Sequence, residues 1–229
     1  MVAPLVLDMF AGSKSVAKAF EAAGYDAVTL DYEAKYDPDI CVDVLKWDYE
    51  AAIQMFGRKP DVIWASPPCQ TWSVASIGHH WAGGRRAYEP KTPEAVIGKA
   101  IAERTVEIIQ SVRPKFWFIE NPRGVLRKMP FMQKLNRNTI WYCRYGDTRA
   151  KPTDIWYGTW PVGMPVRVCR NYSKVQKLGL APRHCHHEPA PRGAKTGTQG
   201  LKGAFERSRI PAEFCSLLAD SIKKNLELM

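Results

Sequence analysis

The feature that most constrains the fold is a strand pattern that runs into a tight turn and then a helix, over residues 2–24. Apolar residues from Val2 to Phe10 predict a buried strand, and Gly12 follows at the turn. Apolar side chains then recur at helical spacing as far as Gly24. This order is typical of the first unit of an open α/β sheet that binds a nucleotide-like ligand. The turn lacks the G-x-G-x-x-G pattern, so a dinucleotide is not favoured.

Carboxylates end the next two predicted strands. Asp31 follows the apolar run 27–30, and Asp43 follows the short run 40–42. Asp31 is placed as the carboxylate that accepts ribose hydroxyls in such folds. Each acid taken alone is more often a loop or helix-capping residue. Together they favour an adenosine ligand, whose hydroxyls and exocyclic amine are donors.

A cysteine follows the fourth predicted strand at a rigid step. The apolar run 61–65 leads directly into Ser66-Pro67-Pro68-Cys69-Gln70. Because proline fixes its own φ and restricts the residue before it, Cys69 is held at a set angle at the sheet edge. Cys69 is therefore a candidate nucleophile. The alternative is a strand stop followed by a small buried side chain.

A carboxylate follows the fifth predicted strand. A helix with apolar residues at Ile97, Ile101, Ile108 and Val112 leads to the apolar run 115–119, which ends in Glu120-Asn121-Pro122. Burial raises the pKa of a carboxyl group, so Glu120 is a candidate acid. A capping or ion-paired glutamate is the alternative.

In this order, Asp8-Met9-Phe10-Ala11-Gly12, Pro67-Pro68-Cys69-Gln70 and Glu120-Asn121 resemble the motifs of the cytosine 5-methyltransferases of DNA. Tyr145-Gly146 with Arg149 and Lys151 is similar to the family's next motif. The stretch 151–156 looks like the short members carried by bacteriophages. The asparagine-containing motif that usually precedes the last helix is missing, and residues 207–211 read Arg-Ser-Arg-Ile-Pro instead.

The resemblance implies an α/β, Rossmann-like fold that depends on S-adenosylmethionine: an open, mostly parallel sheet with helices on both faces, plus a small irregular insert. We expect a discontinuous catalytic domain over 1–156 with 205–229. The basic segment 157–204, rich in Pro and Gly, is expected to be the target-recognition insert. An amphipathic pattern after Pro211 predicts a final helix that folds back onto the sheet.

The resemblance also assigns roles to individual residues. Cys69 would attack carbon 6 of cytosine, and Glu120 would bind or protonate ring nitrogen 3. The residues expected at the S-adenosylmethionine site are Phe10, Ala11, Gly12, Asp31, Tyr32, Asp43 and Pro68. The residues expected to contact the base or the DNA are Gln70, Ser73, Arg85, Arg86, Asn121, Arg149 and Lys151.

The long segment after Cys69 suits an enzyme that rotates its target base out of the duplex. Residues 73–90 carry glycines that allow a loop to close, and arginines that bind phosphates. A surface excursion without function is the alternative.

Composition agrees with a DNA substrate. The chain has 33 Lys and Arg against 23 Asp and Glu, a formal charge of +10 and a pI near 9.4. A basic surface of this kind binds phosphates, so we expect double-stranded DNA as the partner. No signal peptide and no apolar stretch long enough to span a bilayer is present in the sequence. With six scattered cysteines, the pattern favours a reducing cytoplasm, and we expect a monomer.

The insert also contains ligands that zinc accepts. The candidates there are Cys169, Cys185 and His186, and Cys143, at the end of a predicted strand, would complete a site of four ligands. A small region with few apolar residues gains stability from a metal. The spacing matches no standard zinc finger, however, and the basic stretch around His186 is as well suited to phosphates, so zinc is the less favoured interpretation.

Three interpretations follow. The preferred one is a DNA cytosine 5-methyltransferase. The second is a transferase on the same scaffold that acts on RNA or uses a modified donor, which the missing asparagine motif keeps open. The third is a nucleic-acid-binding protein that has lost catalysis, and the intact Cys69 and Glu120 argue against it.

Overall fold

The computed structural model describes residues 2–74, 76–83, 88–169 and 203–229. The strands of its single sheet are β1 (Leu5–Met9), β2 (Asp26–Asp31), β3 (Ile40–Cys41), β4 (Val62–Ala65), β5 (Phe116–Pro122), β6 (Asn136–Trp141) and β7 (Pro152–Tyr157). The helices in the described ranges are α1 (Ser15–Ala22), α2 (Tyr49–Phe56), α3 (Ile77–His80), α4 (Pro93–Val112), α5 (Pro130–Gln133), α6 (Ala204–Ser208) and α7 (Ala212–Glu227). Short 3₁₀ turns cover Ala34–Tyr36, Val125–Lys128 and Tyr142–Arg144.

The strand order across the sheet is β3-β2-β1-β4-β5-β7-β6. The pairs from β3 to β5 are parallel, and β7 runs antiparallel to both of its neighbours. The five residues of β1 are all buried, as expected for a parallel strand covered on both faces. The predicted open, mostly parallel sheet is confirmed.

Two apolar clusters cover the sheet, one on each face. Leu7 and Met9 belong to the cluster that contains α4, whereas Val6 belongs to the cluster that contains α1 and α7. Alternate residues of a strand point to opposite faces, so helices lie on both sides of the sheet, as predicted.

One apolar residue of the α4 pattern faces solvent. Ile97, near the N-terminus of the helix, is 53% exposed. The neighbouring Gly98 faces the core instead, and a Cβ at Gly98 would lie 2.8 Å from Thr71 Oγ1. The close approach of residue 98 to the 71–72 turn directs Ile97 outward.

The final helix α7 packs on the same face as α1. Phe214 is fully buried and contacts Trp64 of β4 edge to face at 6.0 Å. The Tyr25 hydroxyl donates to the Ala219 carbonyl at 3.2 Å. The start of the predicted insert also lies against this unit, because Trp141 N donates to the Arg167 carbonyl at 3.1 Å. Residues 170–202 lie outside the described residues, and the division into domains stays a prediction.

Candidate active site

The carboxyl ends of the parallel strands meet at one edge of the sheet. β1 has β2 on one side and β4 on the other, so the strand order reverses between β1 and β4. Open α/β sheets bind their ligands in the crevice at such a reversal. The turns after β1, β2, β4 and β5 therefore form the walls of one candidate site.

The turn after β1 contains three residues in the left-handed region. Phe10, Gly12 and Lys14 have φ values of 62°, 46° and 55°. Only glycine adopts this conformation without a steric cost. A hydrogen bond from Ala11 N to the Leu30 carbonyl at 3.0 Å helps to hold the turn against β2. The turn is thus held by contacts with its surroundings rather than by local preference alone.

Lys14 is a residue of this turn that the sequence analysis missed. Its ammonium group donates to the Asp37 carbonyl and lies 3.8 Å from the Asp37 carboxylate. Lys14 thereby ties the turn after β1 to the connection between β2 and β3. The sequence carried one signal of this role: no second glycine follows Gly12 in the turn, so a residue other than glycine has to adopt the second left-handed conformation there.

Asp31 is buried at the end of β2 and is part of the same turn. Its Oδ2 accepts from Gly12 N at 2.9 Å, and its Oδ1 accepts from Glu33 N at 2.9 Å. Each carboxylate oxygen has a second lone pair. Asp31 therefore holds the turn in place and retains acceptors for a ligand.

The other residues predicted to bind the cofactor lie near these strand ends. Tyr32 follows Asp31 and is 72% exposed, so its ring is free to pack on a ligand. Asp43 follows β3 and is half-buried, and its Oδ1 accepts from Leu45 N at 3.0 Å. The structure brings the turn 10–12 and Asp31 into contact and leaves Asp43 two strands away from β1.

Cys69 lies in the loop after β4. Its thiol is half-buried, and its carbonyl accepts from Trp72 N at 3.1 Å, which closes a turn. The side chains of Pro68 and Gln70 on either side are exposed. The loop therefore holds the thiol at the edge of the crevice, with its two neighbours open to a ligand.

Glu120 is a buried residue near the end of β5, next to the Cys69 loop. The Tyr142 hydroxyl donates to Glu120 Oε1 at 2.8 Å. Lys151 Nζ lies 4.0 Å from the same oxygen, and both side chains of this ion pair are largely buried. An acid, a hydroxyl and an ammonium group thus converge beside the thiol.

The charges of this group act on the Cys69 thiol in opposite directions. Burial raises the pKa of the Cys69 thiol, and the negative charge of Glu120 adds to this effect. The cationic side chains of Lys151 and Arg207 oppose it by favouring the thiolate. Since the thiolate is the nucleophilic form of cysteine, these two cations favour the reactive form of Cys69.

Asn121 occupies a different position from the one predicted. It was expected to hold the base, but its side chain is 0% exposed and its Nδ2 donates to the Pro67 carbonyl at 2.9 Å. Asn121 therefore bridges β5 to the loop that carries Cys69. We assign it to positioning that loop.

Arg149 also differs from the prediction of a base contact. Its guanidinium group pairs with the Asp147 carboxylate and is largely buried. It further donates to the carbonyls of Glu206, Arg207 and Arg209, at 3.2, 3.0 and 2.8 Å. Its donors are used within the protein, whereas the base contact predicted for Lys151 stays a prediction.

The segment after Cys69 is anchored by two tryptophans. Trp72 is fully buried and stacks on Trp81, with ring centroids 4.6 Å apart. Trp81 also forms a β-bridge with Pro90, which closes the segment at its base. Ser73 hydroxyl is 3.1 Å from the Ser76 hydroxyl. Arg85 and Arg86 lie outside the described residues, so their predicted DNA contacts stay predictions.

Asp8 is a buried acid below the site. Its Oδ2 accepts from Ala17 N at 3.1 Å. Burial raises the pKa of Asp8 to about 8, and the charge of Asp31 adds to the effect. The sequence showed Asp8 as a motif residue but gave no sign that it titrates near neutral pH.

A cavity of about 870 Å³ lies beside the start of α1. Ser13 and Ser15 line one side of it, and Arg209, Ile210 and Pro211 line the other. The sequence that replaces the missing asparagine motif therefore forms a wall next to the turn after β1.

The zinc candidates are divided between described and undescribed parts of the chain. Cys143 and Cys169 are buried, whereas Cys185 and His186 lie outside the described residues. Within the described ranges, no group of three or more His, Cys, Asp or Glu side chains is arranged to hold a metal ion. Among the helices of the same ranges, none has the length and apolar character needed to cross a membrane.

Two solved structures share the fold. One is an E. coli protein described as a "putative DNA modification methyltransferase encoded within prophage", with a TM-score of 0.51 and 15% identity over 69% of this chain and 47% of that one. The other is the methyltransferase EhMeth of Entamoeba histolytica, with a TM-score of 0.50 and 11% identity over 74% of this chain and 58% of that one. The chain thus spans about half the length of these neighbours.

Sequence comparison identifies the family. A protein of Frog virus 3 named "Probable DNA (cytosine-5)-methyltransferase" is 34% identical over 153 residues, which cover 66% of this chain and 69% of that protein. The Type II methyltransferase M.FnuDI of Fusobacterium nucleatum is 27% identical over 128 residues, which cover 54% of this chain and 33% of that enzyme. Residues 5–136, more than half of the chain, match the family model described as C-5 cytosine-specific DNA methylase. The chain belongs to this family.

Proposed function

We propose that the protein transfers a methyl group from S-adenosylmethionine to carbon 5 of cytosine in double-stranded DNA, through a covalent adduct of the base with Cys69. The observation that carries the proposal is the arrangement at the ends of β4 and β5. There, the Cys69 thiol lies within the electrostatic reach of the Glu120 carboxylate and the Lys151 ammonium group. In a chain of this family, these are the groups that such a reaction requires.

The side chains at the reversal of the strand order are suited to S-adenosylmethionine. The Asp31 carboxylate would accept hydrogen bonds from its ribose hydroxyls, and Asp43 would accept one from its exocyclic amine. The exposed ring of Tyr32 would pack on its adenine. The bound cofactor supplies an electrophilic methyl group. Carboxylates at successive strand ends are suited to these contacts.

The protein's own residues would activate the base. Cys69 Sγ attacks carbon 6 as a thiolate, and a proton from Glu120 moves to ring nitrogen 3, so that carbon 5 becomes nucleophilic. Lys151 would approach the carbonyl oxygen of the base. Once carbon 5 has bonded to the methyl group and the donor sulfur has left as a neutral thioether, carbon 5 would lose its proton to water. The bond between the Cys69 sulfur and carbon 6 would then break, and nitrogen 3 would return its proton to Glu120.

The target base must first leave the duplex, at a cost of a few kcal/mol. The segment 73–90 would serve this step, since it follows Cys69 closely in the chain and is anchored at its base by the stacked pair of Trp72 and Trp81. The basic side chains of the chain would compensate part of that cost by binding phosphates.

The test is a trapping experiment with DNA that contains 5-fluorocytosine. Since fluorine cannot leave carbon 5 as a proton does, the wild-type protein should become covalently bound when S-adenosylmethionine is present. The Cys69→Ser variant should bind the DNA but form no adduct. An adduct that persists in this variant, or that maps to another cysteine, would contradict the assignment. Labelled methyl transfer to DNA and to RNA, compared in parallel, separates the proposed substrate from its alternative.

A further inference from the structure

The Glu120 carboxylate is held by a tyrosine that the reaction scheme above does not require. Tyr142 follows β6 directly and begins the 3₁₀ turn Tyr142–Arg144. It is fully buried, and its hydroxyl donates to Glu120 Oε1 at 2.8 Å. The sequence gave no reason to place this residue at the site.

Contacts on several sides fix the Tyr142 ring. Its backbone N–H donates to the Lys151 carbonyl at 3.2 Å. The Lys151 ammonium lies 4.7 Å from the ring centroid, and the Arg149 guanidinium lies 5.4 Å from it. The Thr153 side chain also bonds to the hydroxyl. A ring held by a backbone bond and two cations has little freedom to turn away from Glu120.

The hydroxyl acts as a donor throughout the working range of pH. Burial and the negative charge of Glu120 raise the pKa of Tyr142 well above its ordinary value, so the phenol keeps its proton. Lys151 approaches the same carboxylate oxygen, Oε1. Glu120 Oε1 is thus bound by the Tyr142 hydroxyl and lies beside the Lys151 ammonium group, which leaves Oε2 as the oxygen to face a base.

We propose that Tyr142 is a positioning residue for Glu120: it binds Oε1, so that the catalytic proton is carried on Oε2 and delivered to ring nitrogen 3. This inference rests on the proposed role of Glu120. The proton moves from Oε2 to nitrogen 3 as the bond from Cys69 to carbon 6 forms, and it returns when that bond breaks. The Tyr142 proton stays on its oxygen.

The test follows the titration of Glu120 itself. Protein labelled with ¹³C at the glutamate carboxyl carbon is titrated by NMR, and the Glu120 signal is assigned by its loss in Glu120→Gln. The charged and titratable groups that act on or adjoin this carboxylate are Cys69, Tyr142, Arg149, Lys151 and Cys215. Tyr142→Phe removes one neutral donor from this set and leaves the charges in place.

In Tyr142→Phe, the Glu120 titration should move to higher pH, because the ionised carboxylate has lost a hydrogen bond. We also expect kcat to fall about tenfold with the KM for S-adenosylmethionine little changed. Tyr145→Phe is the matched control, since its hydroxyl donates to the Pro165 carbonyl at 2.7 Å instead, and it should leave the Glu120 titration unchanged.

A titration midpoint that stays in place in Tyr142→Phe, or that moves equally in Tyr145→Phe, would overturn the inference. A 3-fluorotyrosine at position 142 gives a second measurement that leaves the packing intact. Its more acidic hydroxyl is a stronger donor, so the Glu120 titration should move to lower pH, and movement in the other direction counts against the proposal. The role of Glu120 is tested separately: methyl transfer by Glu120→Gln at the wild-type rate would refute the proposed mechanism, whereas a shifted titration in Tyr142→Phe would still establish the contact.

Discussion

Replacing Lys151 by methionine should slow the enzyme through the thiol of Cys69. The change removes a largely buried ammonium group that lies 4.0 Å from Glu120 Oε1 and that favours the Cys69 thiolate. Methionine retains the length and the apolar stem of lysine. The pKa of Cys69, already raised by burial, should therefore rise further.

Coulomb's law sets the order of magnitude of this effect. At an effective dielectric constant of about 20, two unit charges about 4 Å apart interact by about 4 kcal/mol. That value applies to the pair of Lys151 and Glu120. Arg207 also favours the Cys69 thiolate, so part of the cationic field remains in the variant. We expect a rise of about one pH unit in the pKa of the thiol, which lowers the thiolate fraction about tenfold at neutral pH.

The assay is the rate of alkylation of Cys69 as a function of pH, read by mass spectrometry of the peptide that contains it. Cys41 is exposed on β3 and serves as an internal reference in the same sample. In Lys151→Met, the Cys69 curve should move to higher pH while the rate for Cys41 stays the same. Methyl transfer at neutral pH should fall at least tenfold, as the thiolate fraction does.

Lys151→Arg is the control, because it keeps the charge and should keep most of the thiol reactivity. If the alkylation curve of Cys69 were the same in Lys151→Met and in the wild type, Lys151 would have no part in activating the thiol. The electrostatic argument for the site would then be wrong, whatever the effect on methyl transfer.

Four further predictions follow from the described residues. Asp31→Ala should weaken S-adenosylmethionine binding by about 1.5–3 kcal/mol in calorimetry, and unchanged affinity in a folded variant would place the ribose elsewhere. Asp8→Asn should flatten the dependence of stability on pH. In the wild type, folded Asp8 keeps its proton up to a pH of about 8, whereas Asp8 in the unfolded chain loses it near the ordinary pKa of an aspartate. The wild type therefore loses stability as the pH rises between these two values. Melting temperatures at pH of about 5.5 and 8.5 would show the difference, and an equal slope in both proteins would refute it. Gly124→Ala should reduce the free energy of unfolding by about 1–3 kcal/mol in urea, because the new Cβ would lie 2.1 Å from the Trp72 carbonyl oxygen; a variant as stable as the wild type would contradict this close approach. Methylome sequencing should find a target of about two to four base pairs, since a short insert reads few base edges, and a long stringent site would argue against that insert as the reader.

The sequence predicted the strands that carry the site because buried parallel strands leave a simple pattern. Continuous apolar runs led into Asp31, the loop with Cys69, and Glu120. The structure places Asp31 at the end of β2, Cys69 in the loop after β4 and Glu120 near the end of β5, along one sheet edge. The relation between Cys69 and Glu120 could be expected as well, since β4 and β5 follow each other in the chain and pair in parallel. Local pattern and chain order were sufficient here.

The side chains around these residues could not be assigned in the same way. Tyr142 resembles any core aromatic in the sequence, and only the pairing of β6 with β7 brings it to Glu120. The family resemblance assigned Asn121 to the base, whereas the structure directs its amide group to the Pro67 carbonyl. Such roles depend on contacts between residues distant in sequence, for which periodicity carries no information.

Arg149 and Lys151 belong to the same motif but have different partners in the structure, and the geometry of their cationic groups explains the difference. The segment 206–209, just before α7, presents carbonyl oxygens to residue 149, and Asp147 adds a carboxylate. A planar guanidinium with five donors satisfies such a set at once, whereas an ammonium group has three donors on one atom. Beside Glu120, by contrast, the compact ammonium group of Lys151 lies between a carboxylate and the ring of Tyr142. Arg149 thus fixes the returning chain to the active site, and this fixed chain supplies Arg207, the second cation that favours the Cys69 thiolate.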